Sequence, residues 1–233
     1  MDVLVVDIGG SHVKMLATGT HEPRRFDSDE TLTPDRLVAR VREEATGWNY
    51  DVLSIGYPGT VDARGPRAEP GNLGDGWVRF DFSKAFGKPV RVLNDAAMQA
   101  LGGYDGGRML FLGLGTGVGS ALVTEHVVVP LELGCLPYCP DETLFNRLGA
   151  SGLEKYGKQP WLDAVTTVTT MLREAFSADY VLLGGGNAKR VQPLPQGARC
   201  GGNEDAFTGG FRLWEEIVEP HDRSSSSAWR VVR

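Results

Sequence analysis

The sequence predicts an α/β fold, and two features of the chain carry that prediction. Short apolar runs that suit buried strands alternate with segments whose apolar residues keep helical spacing. The 31 glycines cluster directly behind several of these apolar runs instead of spreading evenly through the chain. Glycine clusters at strand ends indicate turns in which the backbone must come close to another group.

The first half of the chain predicts four strands and two helices. Thr33-Pro34 is a typical helix start, with threonine as the N-cap and proline in the first turn. Asn94-Asp95 ends a strand and precedes a helical segment, so these two residues suit a helix cap. The predicted strands are 3–6, 13–18, 52–55 and 90–93, and the predicted helices follow Thr33 and cover 96–101.

The second half opens as the first half does. Two apolar runs, 109–113 and 119–123, surround Gly115-Thr116-Gly117, just as the first two strands surround Gly9-Gly10. This repetition of strand, glycine turn and strand indicates an internal duplication. The remaining predicted elements are a core helix over 161–176, a strand over 180–183 that runs into Gly184–Gly186, and an amphipathic helix over 207–217.

The glycine-rich segment from Gly102 to Gly107 is the best candidate for a boundary between two lobes. The alternative is that this segment is a surface loop. We predict an N-terminal lobe over 1–103, a C-terminal lobe over 104–218 and a loose, polar tail over 219–233.

Composition and charge exclude several classes of function. The formal net charge is -6 and no long basic stretch occurs, so we expect no nucleic-acid partner. No apolar stretch approaches the roughly 20 residues of a membrane span, and the first residues do not read as a signal peptide. Three cysteines, an odd number, favour a reducing, cytoplasmic location over a disulfide scaffold.

Two glycine turns suit phosphate binding, although neither common nucleotide motif, G-x-G-x-x-G or G-x-x-x-x-G-K-[ST], is present. In the turn Asp7-Ile8-Gly9-Gly10-Ser11, glycines let backbone N–H groups face an anion. Ser11 adds a hydroxyl donor, Lys14 adds a positive charge, and Asp7 can hold Mg²⁺ directly or through water. Gly115-Thr116-Gly117 repeats the arrangement, so the two turns can clamp a chain of phosphates. The alternative is that both are tight hairpins whose glycines adopt positive φ.

Six short motifs occur in an order that resembles the ROK family of sugar kinases, within the actin and hexokinase superfamily. The resemblance runs from residue 3 to about residue 214, and its strength lies in the number and order of the motifs. A Glu-Leu-Gly-x-Leu-Pro-Tyr run, here Glu132 to Tyr138, is most similar to that of the polyphosphate glucokinases. The motifs are Asp7 to Ser11, Gly56 to Gly59, Leu93 to Ala96, Leu114 to Gly119, Glu132 to Gly134 and Leu183 to Gly186.

The resemblance implies a two-lobed actin-like fold, of the ribonuclease H-like type, with the active site in the cleft between the lobes. It implies that Asp95 is the catalytic base and that Asn94 and Glu132 bind the sugar. Asn72 can also reach the sugar, or it can serve only the turn at Gly71-Asn72. Further assignments by position are phosphate or metal contacts at Asp7, Gly9, Gly10 and Thr116, and contacts beside the adenosine at Gly185 and Gly186.

One departure from the family pattern concerns the sugar pocket. Cys135 stands where the family usually has histidine, which bears on glucose specificity and on activity. We expect Cys135 to line the sugar pocket as a small residue. The Cys135 and Cys139 spacing is not that of a zinc pair, and the Cys-rich zinc motif of many ROK members is absent, as in polyphosphate glucokinases. We therefore expect no structural zinc.

These features together predict a kinase that uses Mg²⁺ and transfers a phosphoryl group from ATP or polyphosphate to a hydroxyl, O6, of glucose or a related hexose. Lys189 and Arg190 follow the third glycine turn and suit either donor. The alternatives are a degenerate family member that binds sugar or nucleotide without turnover, and an N-acetylhexosamine kinase. ROK repressors carry an N-terminal helix-turn-helix, which we do not expect because the sequence opens at the first predicted strand. A homodimer is compatible with the family.

Overall fold

The computed structural model describes residues 1–202, 204–218 and 226–232. The predicted α/β fold is confirmed: two mixed sheets form two lobes, with helices between and around them. The strands are β1 (Val3–Ile8), β2 (His12–Ala17), β3 (Arg24–Asp27), β4 (Val52–Tyr57), β5 (Val61–Asp62), β6 (Gly65–Pro66), β7 (Val90–Asn94), β8 (Met109–Leu114), β9 (Val118–Thr124), β10 (Val127–Leu131), β11 (Pro137–Cys139), β12 (Glu142–Thr143), β13 (Tyr180–Gly184), β14 (Ala198–Cys200), β15 (Glu216–Val218), β16 (Ser226–Ala228) and β17 (Arg230–Val231).

The helices connect these strands and cover the sheets. They are α1 (Pro34–Glu44), α2 (Phe82–Phe86), α3 (Asp95–Gly103), α4 (Leu144–Leu148), α5 (Ala150–Tyr156), α6 (Lys158–Ala175) and α7 (Asp205–Arg212), with short 3-10 turns at Leu133–Cys135 and Ala188–Arg190.

The two large sheets repeat one topology. The first has the order β3-β2-β1-β4-β7, and the second has the order β10-β9-β8-β13-β14, with β17 added beyond β10. In each sheet the first three strands form an antiparallel meander, and two later strands join in parallel. This shared topology agrees with the internal duplication that the sequence predicts.

Local sequence explains the outer helix of each lobe. In α1, the Thr33 side chain accepts a hydrogen bond from the Arg36 N–H, and Leu37 and Val41 are buried against the first sheet, as the spacing predicts. In α6, Trp161 is fully buried and its ring N–H donates to the Leu148 carbonyl at 2.9 Å.

Helices α3 and α7 lie between the two sheets and pack closely against each other. A side chain at Gly102 or Gly209 would meet the backbone of the other helix, so glycine is required at this crossing. Gly210 of α7 packs on Val5 of β1, and its carbonyl accepts a hydrogen bond from Ser54 at 2.6 Å. The segment that contains α7 thus completes the core of the N-terminal sheet. The division of the chain at residues 103 and 104 stays a prediction.

Two predictions for the C-terminal segment need correction. The last amphipathic helix ends at Arg212, and Ile217 lies in β15. Part of the predicted loose tail is ordered: β17 pairs with β10, because Trp229 packs edge-on against Tyr104 with ring centroids 5.6 Å apart. Residues 219–225 and 233 of that tail lie outside the described residues. Among the helices of the described ranges, none is long and apolar enough to cross a membrane.

Candidate active site

The candidate site lies where the carboxyl ends of the parallel strands β1, β4 and β7 face the β8–β9 hairpin of the other lobe. Register aligns Asp7 with Gly56 and Tyr57 with Asn94, so the ends of all three strands meet at one edge. A cavity of about 590 Å³ opens there. The predicted site residues that line it are Gly10, Asn72, Asn94, Asp95, Gly115, Thr116, Gly117, Glu132, Cys135 and Gly185.

The remaining predicted residues surround this cavity. Ser11 lines a second cavity of about 730 Å³, which shares Gly10 and Asn72 with the first. Asp7 and Gly9 lie behind the first glycine turn, on and directly after β1. The residues predicted for the site that line neither cavity are Asp7, Gly9, Lys14 and Gly186.

Asn94 and Asp95 divide two tasks at the start of α3. The Asn94 side chain is the N-cap: its Oδ1 accepts from the Ala97 N–H at 3.0 Å, and its Nδ2 donates to the Gly59 carbonyl at 3.1 Å. Asp95 is the first helical residue, and one carboxylate oxygen accepts from the Ala96 N–H at 2.8 Å. The capping interpretation therefore holds for Asn94, while the Asp95 carboxylate faces the cavity.

The environment of Asp95 raises its pKa to about 7. Burial of the carboxylate is the largest cause, followed by the negative charge of Asp7; the Ala96 N–H opposes the shift, and Glu132 adds to it. An aspartate that titrates near neutrality can take up a proton during a reaction at physiological pH.

Asp7 is the second carboxylate beside the cleft. Burial raises its pKa to about 6, against the opposing charge of Lys14, its cross-strand neighbour on β2. Its carboxylate lies over Gly56, where a side chain would approach Oδ1 to 3.2 Å. No cluster of three or more His, Cys, Asp or Glu side chains that could hold a metal occurs among residues 1–202, 204–218 and 226–232.

The first glycine turn is fixed from within and from the side. The Gly9 N–H donates to the His12 carbonyl at 3.0 Å, and the Gly9 carbonyl accepts from the Ser28 hydroxyl at 2.7 Å. A side chain at Gly10 would collide with the Asn72 amide, so the loop of Asn72 lies directly on this turn. The Gly9 N–H is therefore engaged within the turn.

The second glycine turn is held from behind by the start of α5. The Gly115 N–H donates to the Gly117 carbonyl at 3.1 Å. The Ala150 N–H donates to the carbonyls of Gly115 and Thr116 at 3.0 and 3.3 Å. These bonds occupy the carbonyls of all three residues of the turn.

Glycine is not needed for positive φ in these turns, but at Gly10 and Gly117 it is needed for space. Neither Gly9 and Gly10 nor Gly115 and Gly117 adopt a left-handed φ, so the alternative interpretation as positive-φ hairpins does not apply. A side chain at Gly117 would enter the ring of Phe145.

The third turn does use positive φ. Gly185 has φ +78°, and its α-carbon packs on the Leu114 backbone at the end of β8. The Asn187 N–H donates to the Leu114 carbonyl at 2.9 Å. Gly186 borders open space, and Lys189 and Arg190 follow on an exposed 3-10 turn.

On the opposite wall, Glu132 and Cys135 begin and end one 3-10 turn, in which the Cys135 N–H donates to the Glu132 carbonyl at 3.1 Å. Burial raises the pKa of the Glu132 carboxyl group. The Cys135 thiol is free and exposed, as is that of Cys139 on β11.

The lining residues that were not predicted for the site include Gln99, Phe111 and Phe145. Gln99 is four residues after Asp95 on α3, so helical spacing places it on the same face and was a usable signal. Phe111 is one of several apolar residues of β8, and the sequence does not distinguish it from the others. Phe145 depends on the docking of α4, which no local pattern reveals.

No protein-family model matches the chain. The polyphosphate glucokinase of Mycobacterium leprae (strain TN) is 28% identical over 209 residues, which are 80% of this chain. The match spans 64% of the length of that relative.

Solved structures share the fold. The inorganic polyphosphate/ATP-glucomannokinase from Arthrobacter sp. strain KM aligns with a TM-score of 0.76 at 22% identity, covering 89% of this chain and 96% of that one. A ROK family glucokinase from Streptomyces griseus, in complex with glucose and AMPPNP, aligns with a TM-score of 0.72 at 16% identity, covering 90% and 97%.

The chain therefore has the two-lobed fold of the ROK sugar kinases, as its motifs predict. Within that class, the resemblance to polyphosphate glucokinases is confirmed by the curated relatives.

Proposed function

We propose that this chain is a sugar kinase that transfers a phosphoryl group from ATP or polyphosphate to a hydroxyl, O6, of glucose or a related hexose. The observation that carries the proposal is the Asp95 carboxylate, with a pKa of about 7, on the wall of a cavity shared by two glycine turns. The names of the relatives support the same activity.

In this proposal Asp95 is the general base. It accepts the proton of the sugar hydroxyl as the oxygen forms its bond to phosphorus, and the bond between phosphorus and the leaving phosphate oxygen breaks. A pKa near 7 keeps a large share of the carboxylate ionised at neutral pH while it remains basic enough to take the proton.

In this proposal the backbone N–H groups of Gly10, Ser11, Thr116 and Gly117, in the two glycine turns, bind the phosphates of the donor from both sides. Mg²⁺, when bound, neutralises charge on the transferring phosphates. The residues fit this ion, because oxygen donors suit it and it is usually held by one or two carboxylates together with substrate phosphates and water. Asp7 is the residue that would hold it, directly or through water.

The sugar is assigned to the wall of Glu132 and Cys135 and to the loop of Asn72. Asn94 has one amide hydrogen bond to the helix and one to Gly59, so it orients the site and offers its remaining N–H to the sugar. The Cys135 thiol is a weak hydrogen-bond donor. The hexose therefore depends more on Glu132 than it would if a histidine stood at position 135.

The charges of the cleft bear on the donor. Among the described residues, those that line the cavity of Asp95 include two acids, Asp95 and Glu132, and no lysine or arginine. A phosphoryl donor in this cavity, ATP or polyphosphate, therefore depends on Mg²⁺ to neutralise its charge. Lys189 and Arg190, beyond the third turn, are the cations that polyphosphate would reach.

A coupled assay with Mg²⁺ tests the proposal, with glucose, mannose and N-acetylated hexosamines as acceptors and with ATP and polyphosphate as donors. We expect turnover with a hexose, and a fall in kcat of about 10²–10⁴-fold in Asp95→Asn. Asp163→Asn, on the exposed face of α6, is the matched control and should keep full activity.

Near-normal turnover in a correctly folded Asp95→Asn variant would contradict the assignment of the base. Binding of sugar or nucleotide without turnover would identify a degenerate member of the family. Phosphorylation of N-acetylated hexosamines alone would identify an N-acetylhexosamine kinase. A homodimer and a cytoplasmic location stay predictions.

A further inference from the structure

Phe145 is an exposed aromatic side chain inside the cleft. It is 47% exposed, and it is the only large hydrophobic residue exposed to this degree in the described ranges that lines the cavity. An exposed apolar ring on the wall of a cleft gains free energy when a ligand with an apolar surface covers it.

The backbone around Phe145 holds the ring in this position. Its neighbours on α4, Leu144 and Leu148, are buried in the core of the second lobe, which leaves Phe145 no place there. The Thr143 side chain caps the helix, and the Leu144 N–H donates to the Leu136 carbonyl at 2.8 Å. The exposure of the ring therefore follows from the docking of α4.

Two glycines make room for the ring at the cleft. A side chain at Gly117 would overlap the Phe145 ring, and one at Gly134 would approach its Cβ to 3.5 Å. Gly117 belongs to the second phosphate turn, and Gly134 lies between Glu132 and Cys135 on the sugar wall. The ring therefore stands where the sugar wall meets the phosphate turn.

We propose that Phe145 is a specificity-determining residue that contacts the acceptor, with its ring against the apolar C–H face of the hexose. This inference rests on the proposed function. Cys135, adjacent on the same wall, offers only a weak hydrogen bond, so apolar contact supplies part of the affinity for the sugar.

Equilibrium binding of glucose and mannose, measured by titration calorimetry without a donor, tests the contact. We expect Phe145→Ala to weaken hexose binding about tenfold, and Phe145→Tyr to keep most of the affinity because it retains the ring. Met171→Ala is the matched control: Met171 is 50% exposed on α6, lines no part of the cavity and should change nothing. In the kinase assay, KM for the hexose should rise in Phe145→Ala while KM for ATP stays constant.

Unchanged hexose affinity in Phe145→Ala, or an increase confined to the KM for ATP, would overturn this inference and leave the kinase assignment intact. If Phe145→Ala does not fold, Phe145→Leu against Phe145→Tyr decides, since equal affinity of the two would also overturn it. A wild-type chain that neither binds nor phosphorylates any hexose would overturn both proposals.

Discussion

The two lobes share one sheet topology, but their first hairpins carry different residues at equivalent positions. In the N-terminal lobe, Asp7 and Lys14 face each other across β1 and β2. In the C-terminal lobe the corresponding cross-strand pair is Gly113 and Gly119. One hairpin presents a charged pair, and the other presents no side chain at all.

In the glycine pair, Gly119 leaves space for the start of α3 to pack on the hairpin. In the charged pair, the negative charge of Asp7 raises the pKa of Asp95. Ala96 packs so closely on Gly119 that any side chain there would come within 2.6 Å of the Ala96 methyl group. This contact brings the start of α3, a helix that follows a strand of the first lobe, onto the hairpin of the second. Asp95 is thereby positioned between the lobes, where the charge of Asp7 also reaches it. A duplicated fold thus forms one asymmetric site.

Filling the space in the second hairpin should have the largest effect. Gly119→Ala places a methyl group against Ala96 and displaces the start of α3. We expect a loss of about 1–3 kcal/mol in the free energy of unfolding and a fall in kcat of about 100-fold, because Asp95 moves with the helix. Gly115→Ala, in the same hairpin but with open space around it, is the control for stability by thermal melting. Equal melting temperatures of the two variants would show that the contact with Ala96 is relaxed at no cost.

Removing charge from the first hairpin should act mainly through Mg²⁺. In Asp7→Asn we expect the Mg²⁺ concentration for half-maximal activity to rise about 10–100-fold, because an amide holds a hard cation less well than a carboxylate does. Titration of activity with MgCl₂ measures the shift. An unchanged requirement for Mg²⁺ would remove Asp7 from the metal site.

The charge of Asp7 should also appear in the pH dependence. Asp95 must be ionised to act as a base, so kcat/KM should fall tenfold per unit as pH falls below about 7. In Asp7→Asn the midpoint should move to lower pH, since the negative charge of Asp7 helps to raise the pKa of Asp95. A midpoint that stays constant, or that moves upward, would show that the two carboxylates do not interact.

The smallest effect concerns stability. The pKa of Asp95 is raised in the folded state, so the folded protein binds a proton more tightly than the unfolded chain between about pH 4 and pH 7, and stability falls as pH rises through that window. Asp95→Asn removes the cost of ionising this group. We expect its Tm to exceed that of the wild type by several degrees at pH 8 and to match it near pH 4. A gain in Tm that is equal at both pH values would have a cause other than ionisation.

Sequence order and local pattern predict much of this molecule. The glycine turns, the Thr33 cap and the helix that starts at Asn94-Asp95 all depend on neighbours in sequence, and the register of parallel strands then brings Asp7 and Asp95 together.

Features that depend on long-range packing could not be predicted in this way. The exposure of Phe145 depends on how α4 docks, and the packing of α7 depends on a sheet formed by residues far earlier in the chain. The engaged N–H groups of Gly9 and Gly115 follow from turn geometry, which glycine content alone does not specify.

The position of α7 has a consequence for synthesis of the protein. Ser54 and Gly210, which are joined by a hydrogen bond, are 156 residues apart, so the apolar residues of β1 emerge from the ribosome long before the helix that covers them. Translation at about 5–20 residues per second leaves that face open for many seconds. A nascent chain of this protein therefore completes the core of its first lobe last, and a product that stops before residue 205 lacks the helix that covers this face of β1.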